Sequence, residues 1–306
     1  MPHTPKVSVC MISFNHALLI RNALDSILMQ QAHFDFEIVI GDDCSNDGTS
    51  DVVRTYQQRW PDKIRALLWD RNLGMGKNFN ETLRACKGDY IAILEGDDYW
   101  TDPSKLQLQA DYLDKHPECA LCHHTVEHVA WPGGTFIKEY PPARYRSDRL
   151  PERELAVFNF VQTCSVMFRR KWMPSLDEEF EALKLGDWPL FVLLGQRGWI
   201  GYIDRIMARY RVHENNSWNN RPAEYKIMAM ENMARYLLKR VNPTSRRHWQ
   251  DTLLALAFKD FIWSVRSFAL KSSIRKCSRF VATSIEFRQP LWLLTTLKDY
   301  YSAYRP

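Results

Sequence analysis

The sequence predicts an open, mostly parallel α/β sheet, Rossmann-like and flanked by helices, followed by a helical C-terminal extension. Three observations carry this. Short apolar, β-rich runs alternate with stretches of helical periodicity through the N-terminal third of the chain, the pattern of βαβ units. Those runs are apolar throughout rather than alternating, as strands buried on both faces of a parallel sheet are. Beyond residue 220 the strand-like runs stop, and the chain turns helical and basic. The expected domains are therefore residues 1–220, the α/β domain, and 221–306, the extension.

The first run, Lys6-Val-Ser-Val-Cys-Met-Ile-Ser-Phe14, ends at the turn residues Asn15 and His16. Leu18, Leu19, Ala23, Ile27 and Leu28 then recur at helical spacing. Phe36–Gly41 reads as a second strand running into an acidic turn, and Ser50–Arg59 as the next helix. Ile64–Leu68 and Tyr90–Leu94 are the third and fourth strands. Further on, a helix is predicted over Lys105–Lys115, strand-like pieces over Ala120–Val126 and Val161–Phe168, a helix over Leu185–Gly198 and a strand over Trp199–Tyr210. Pro222, Pro243 and Pro290 divide the extension into separate helices. On such a sheet ligands bind outside the carboxyl ends of the strands. The polar clusters fall there: Ser13-Phe-Asn15, Asp42 to Thr49, and Glu95 to Trp100.

Composition narrows the setting. A hydrophobic fraction of 45% and a charged fraction of 25% over 306 residues are those of a folded protein and exclude wholesale disorder. No segment reaches the roughly 18 uncharged apolar residues that a bilayer crossing needs. The N-terminus reads as lacking a signal peptide, and the seven cysteines are odd in number and scattered. Both lead us to expect a cytoplasmic protein with reduced thiols. The net charge of +5 conceals an asymmetry, because residues 1–220 hold 25 Lys/Arg against 30 Asp/Glu, and residues 221–306 hold 16 against 6. An anionic surface is the natural neighbour of such a tail.

Two acidic clusters carry chemistry. Asp42-Asp-Cys-Ser-Asn-Asp-Gly-Thr49 fills the first four positions of a calcium loop, but Arg54 stands where the bidentate Glu belongs. The cluster is either a helix-capping Asx-turn or a ligand site, and the two are compatible. Glu95-Gly-Asp-Asp98 follows a hydrophobic strand directly. Adjacent carboxylates there repel unless a cation or donor neutralises them, and hard divalent metals bind carboxylate and phosphate oxygens together. A diphosphate–metal anchor and a plain surface turn both satisfy that pattern. Cys119-Ala-Leu-Cys122-His123-His124 lacks a second ligand set for zinc and reads as a buried strand with small apolar thiols. Gly74-Met-Gly-Lys77 lacks the spacing of a P-loop, and no Gly-x-Gly-x-x-Gly follows the first strand, which disfavours P-loop kinases and dinucleotide oxidoreductases.

Taken together these segments resemble the family 2 glycosyltransferases, which carry the GT-A fold. The likeness spans residues 6–217. It rests on the opening strand to Asn15, on Asp42–Thr49 as "DDxSxDGT", on the Arg71–Asn78 loop and on Ala85-Cys-Lys-Gly-Asp-Tyr-Ile91. Glu95–Asp98 stands at the "DxD"-type acids, Gly186-Asp-Trp-Pro-Leu190 at the catalytic-base segment, and Tyr210–Ser217 at the closing "YRxHxxNxS" stretch. The resemblance implies an inverting transfer of a sugar from a nucleotide-sugar donor, a UDP-sugar by default. The acceptor is a hydroxyl of a glycan or lipid-linked molecule in envelope polysaccharide or lipopolysaccharide assembly. By the same resemblance Ser13 and Asn15 line the nucleotide pocket, Asp43 accepts from the base, and Asn72 and Lys77 line the donor pocket. Asp97 contacts the ribose or sugar, Asp98 and His213 serve a divalent metal (Mn2+ or Mg2+), and Asp187 is the general base. The alternative for Asp187 is a helix N-terminal acid.

The tail departs from the family pattern. Phe258, Phe261, Ile262, Trp263, Val265, Phe268 and Leu270 lie among Lys259, Arg266, Lys271, Arg275, Lys276 and Arg279. That composition suits an interfacial helix on anionic lipid, peripheral on the inner face of the plasma membrane, or a helical cap or oligomer interface. No nucleic-acid-binding module appears in it. Rival readings for the whole chain are a catalytically inactive nucleotide-sugar-binding protein, which the presence of Asp187 argues against, and a nucleotidyltransferase. The latter would carry a Gly-rich basic loop after the first strand, and Ser13-Phe-Asn-His16 is not one.

Overall fold

The computed structural model describes residues 4–214, 216, 218, 220–266 and 270–287, and side chains for all of these but 263–266, 270–273 and 275. They divide into two units, Met1–Glu152 with Phe160–Asn216, and Arg153–Asn159 with Ser217–Pro306.

The first unit is built around β1 (Val7–Ser13), which is buried along nearly its whole length because strands lie on both sides and helices cover both faces. α1 (Ile20–Leu28) buries Ile20, Ala23, Leu24 and Ile27, one stripe at helical spacing. That stripe packs into the same core as Val7, Val9, Met11, Ile38 and Ile40. Leu24 is fully buried there, so Leu24→Ala would cost about 2–5 kcal/mol. Next come β2 (Phe36–Asp42), α2 (Thr49–Arg59), β3 (Ile64–Leu68), α3 (Met75–Ala85) and β4 (Tyr90–Ile93). The strands β3, β2, β1 and β4 lie in that order and are parallel. The register sets Ser13 opposite Asp42, so the acidic turn and the end of β1 share one edge.

α3 was not legible in the sequence, because Gly74 and Gly76 frame its start. It packs so closely on β2 that a Cβ at Gly41 would lie 2.0 Å from Thr82 Oγ1. The Asn78 side chain shares the freed space through its Oδ1, and its Nδ2 donates to the Gly41 carbonyl at 3.0 Å.

Beyond β4 the sheet becomes mixed. β5 (Tyr99–Trp100), α4 (Lys105–Lys115), β6 (Cys119–Ala130) and β7 (Phe136–Tyr140) follow in the chain. α5 (Glu154–Val157) belongs to the second unit, and β8 (Met167–Arg169), α6 (Glu178–Glu181), α7 (Asp187–Gly195) and β9 (Trp199–Val212) complete the first. β8 runs antiparallel to both β4 and β6, β9 is parallel to β6, and β5 and β7 add antiparallel edges. Within the expected strand over Val161–Phe168, Thr163–Ser165 form a 3-10 turn and strand begins only at Met167. Cys119, Cys122, His123 and His124 lie on β6 and are buried, and all seven cysteines are free thiols. The Cys-x-x-Cys-His pattern is thus part of a core strand.

The second unit is helical: α5, α8 (Ala223–Leu238), α9 (Pro243–Arg266) and α10 (Leu270–Glu286). Leu254, Ala257 and Phe280 form its small core, and Phe258 packs against it at 5.3 Å between ring centres from Phe280. Lys276 pairs with Asp260 at 2.9 Å and Glu224 at 3.3 Å, and Arg279 pairs with Glu231. These groups of the expected interfacial segment serve the packing of the unit itself. Phe268, the side chains of Trp263, Val265, Arg266, Leu270, Lys271 and Arg275, and Pro290 lie outside the described residues, as does Ser217 of the closing motif. No helix among the described residues is long and apolar enough to cross a membrane.

Candidate active site

The carboxyl ends of β1, β2 and β4 bring the polar clusters together. Asp42 ends β2 with its carboxylate fully enclosed, accepting from Ser45 N at 3.3 Å, Ser45 Oγ at 2.6 Å and the Ser50 hydroxyl. Asp47 accepts from Thr49 N and Ala17 N, each at 3.0 Å. Burial pushes the Asp47 carboxyl up, but the bonds from Thr49 and Ala17 outweigh it and hold it below the usual carboxylate range. Asn15 sits at φ 56°, a left-handed conformation that Asn tolerates, and its Oδ1 accepts from Asn46 N at 3.0 Å. The "DDxSxDGT" turn is therefore a knot joining the loop after β1 to the loop after β2.

Asp43 points elsewhere. Its carboxylate accepts from Leu73 N at 2.6 Å and Gly74 N at 3.0 Å, while Asn72 Nδ2 donates to its carbonyl at 3.1 Å. Burial raises the Asp43 carboxyl against the pull of those two N–H groups. Asp43 and Asn72 thus belong to one wall, and Ser13, whose buried Oγ has no partner, stands at the end of β1 opposite Asp42. Lys77 is exposed on the first turn of α3 and contacts none of these groups among the described residues.

The carboxylates of Glu95, Asp97 and Asp98 lie between β4 and β5 with one oxygen of each within 4.8 Å of the others. Three acids this close, one buried and two half-buried, do not all ionise unaided. Asp97 takes the charge. His213 Nε2 lies 3.1 Å from its Oδ2 and His16 Nε2 3.8 Å from the same atom. Burial pushes Asp97 up, yet these two imidazoles hold it below the usual range. Burial first, and then the neighbouring acids, push Glu95 and Asp98 well above it. Asp98 Oδ1 accepts from Arg211 N at 2.9 Å, while Oδ2 is buried without a hydrogen-bond partner. The Arg211 side chain donates to the Asp97 carbonyl at 2.6 Å and to Asn22, and lies 4.2 Å over the Tyr99 ring.

Asp187 opens α7 and accepts from Thr163 Oγ1 at 2.9 Å. Burial raises its carboxyl above the ordinary value, and its charge in turn pushes Glu95 up, which places it beside the cluster. A pocket of about 420 Å³ borders the cluster through His16 and His213 and is also lined by Asn15, Asp47, Trp131 and Glu214.

The structure thus gathers Asp97, Asp98, Asp187 and His213 into one site, with Asn15 on its pocket and Asp43 and Asn72 on a separate wall. Reading the sequence assigned no role to Glu95, although it stands in the acidic motif, or to Arg211, although the closing motif contains it. His16 and Thr163 had no sequence signal, since each acts on an acid far along the chain.

Comparison with known proteins gives the family and the fold. The family model described as glycosyl transferase family 2 matches residues 8–173. An uncharacterized protein of Mycobacterium tuberculosis is 40% identical over 214 residues, covering 70% of this chain and 61% of the relative, so the chain spans about three fifths of that relative's length. A putative teichuronic acid biosynthesis glycosyltransferase, TuaG of Bacillus subtilis, is 34% identical over 109 residues, 36% of this chain and 42% of that protein. Among solved structures, TarS 1-349 of S. aureus in complex with UDP-GlcNAc superposes with a TM-score of 0.67 at 18% identity, over 97% of this chain and 88% of that one. The mannosyltransferase PcManGT of Pyrobaculum calidifontis, in complex with GDP-Man and Mn2+, gives 0.59 at 17% identity over 99% and 86%. The fold is GT-A, a curved mixed sheet flanked by helices.

Proposed function

The chain belongs to glycosyl transferase family 2, and from that premise we propose that it transfers one sugar from a nucleoside-diphosphate donor to an acceptor hydroxyl with inversion at the anomeric carbon. The observation that carries this reading is Asp187, a half-buried carboxylate held by Thr163 beside a cluster of three acids. A single displacement needs a base on the acceptor side and charge neutralisation on the leaving diphosphate, and the two sets of acids divide those tasks. One displacement inverts.

Asp187 takes the proton of the acceptor hydroxyl. Its raised carboxyl makes it a stronger base than an exposed aspartate once ionised. Glu95, Asp97 and Asp98 would hold a divalent cation, Mn2+ or Mg2+. Their donor set fits, with three carboxylates within reach and the buried Oδ2 of Asp98 lacking a partner. Bound, the cation supplies positive charge to the diphosphate. Asp98 presents its unpartnered Oδ2 and Asp97 an oxygen that also meets His213 Nε2, so both stand as ligands. His213 serves by orienting Asp97 through its Nε2, as outer partners of a metal ligand do. Ser13, Asn15, Asp43 and Asn72 form the nucleotide side, and the exposed Lys77 would reach the donor only from the rim.

We assign a UDP-sugar as donor and a glycan or lipid-linked acceptor in envelope polysaccharide assembly at the cytoplasmic face of the membrane. Contact with anionic lipid through residues 221–306 rests on their net charge, because Phe258, Lys276 and Arg279 are engaged within the helical unit. The test is release of nucleoside diphosphate from UDP-GlcNAc, UDP-glucose and GDP-mannose, with Mn2+ and with EDTA, the sugar passing to an added glycan acceptor or to water. Metal-dependent turnover of one nucleotide class is expected. A folded protein that turns over none of them would end the reading.

A further inference from the structure

We propose that Thr163 is a positioning residue for the base, and that the turn Thr163–Ser165 sets Asp187 and the acidic cluster in fixed relation to each other. The inference rests on the base reading of Asp187 given above. The two sets of acids come from unconnected parts of the chain, Asp187 from the start of α7 and Asp98 from the link between β4 and β5. One three-residue turn is bonded both to Asp187 and to β5, the strand that follows Asp98 directly. Thr163 Oγ1 donates to Asp187 Oδ2 at 2.9 Å, and the Cys164 carbonyl accepts from Trp100 Nε1, two residues past Asp98.

The turn is itself anchored. Trp100 Nε1 donates to the Cys164 carbonyl at 2.9 Å, and Gln109 Nε2 to the Ser165 carbonyl at 2.8 Å. Ser165 Oγ closes the turn on the Gln162 carbonyl at 2.6 Å. The two anchors are joined by Lys105, whose Nζ donates to Gln109 Oε1 at 2.6 Å and lies 4.0 Å over the Trp100 ring. Thr163, Cys164, Ser165, Trp100, Lys105 and Gln109 are all buried, so solvent does not compete for these bonds. Nothing in the sheet hydrogen bonding requires a hydroxyl at residue 163, because strand pairing begins only at Met167. The Thr163 hydroxyl holds one oxygen of Asp187. Without it the carboxylate rotates about its own side-chain bonds, and the acceptor hydroxyl loses its aligned base.

Thr163→Val keeps the shape and removes the donor, and Thr163→Ser keeps the donor. The experiment measures diphosphate release from the donor panel with Mn2+, donor affinity by calorimetry and the melting temperature. We expect Thr163→Val to lower kcat about 10–100-fold, the scale of a misaligned catalytic group, with donor Kd within about twofold of wild type. Thr163→Ser should restore kcat to within a few-fold. Wild-type kcat in Thr163→Val, with Asp187→Asn inactive, overturns the positioning role and leaves the base intact. Full activity in Asp187→Asn would instead remove the base reading. Should Thr163→Val unfold, Thr163→Ser decides: a kcat near wild type supports the role, and a loss matching that of Asp187→Asn overturns it.

Discussion

Asp187→Asn isolates the base. The side chain keeps its size, and the Thr163 hydroxyl, 2.9 Å from Oδ2, can donate equally to the amide oxygen, so the local geometry should survive. Burial makes the native carboxylate costly to ionise, and a neutral amide does not bear that cost. The variant should therefore be at least as stable as wild type. Loss of a general base lowers the rate by about 10²–10⁴-fold, roughly 3–5 kcal/mol of transition-state stabilisation. Donor affinity should not change, because Asp187 acts on the acceptor side. The pH profile supplies an independent check. The base works only when ionised, so the wild-type rate should fall as pH drops through the Asp187 pKa. That limb should lie above the ordinary aspartate value of 3.8, since burial raises the group. Diphosphate release across pH, with calorimetric donor affinity and thermal melting in parallel, measures all three. An Asp187→Asn enzyme within tenfold of the wild-type rate would refute the assignment.

Two further outcomes follow from the geometry. At Gly96 an added Cβ would lie 2.9 Å from His16 Nδ1 and 3.1 Å from Ser13 Oγ, so Gly96→Ala should displace both side chains. We expect weaker nucleotide binding by calorimetry, with stability within about 1 kcal/mol because both neighbours are side chains able to shift. Arg211→Met strips the donor from the buried Asp97 carbonyl and from Asn22. It should cost about 2–3 kcal/mol in denaturant unfolding, the range for a lost charged hydrogen bond.

The parallel strands were legible because burial on both faces writes them as short apolar runs, as at Val7–Ser13 and Ile64–Leu68. α3 was not, since Gly74 and Gly76 stand at its start and Asn78 and Thr82 within it serve the close packing on Gly41. β5 has two residues and β7 is an exposed edge, too little pattern for either to stand out. In the site, the acids were visible as clusters at strand ends, while their partners were not. Arg211 meets Asp98 across 113 positions, His213 meets Asp97 across 116, and Thr163 meets Asp187 across 24. Only the folded sheet brings such pairs together. The same limit explains Asp43, whose motif position says nothing of the Leu73 and Gly74 N–H groups it holds.

The measurement that tests the account most directly is calorimetric binding of UDP and GDP, with and without Mn2+, to wild type, Asp97→Asn and Asp98→Asn. Metal-dependent binding of one nucleotide is expected, with a loss of about tenfold or more in both variants. Binding that ignores the metal and both substitutions would contradict it, and would return the Glu95–Asp98 cluster to a structural turn.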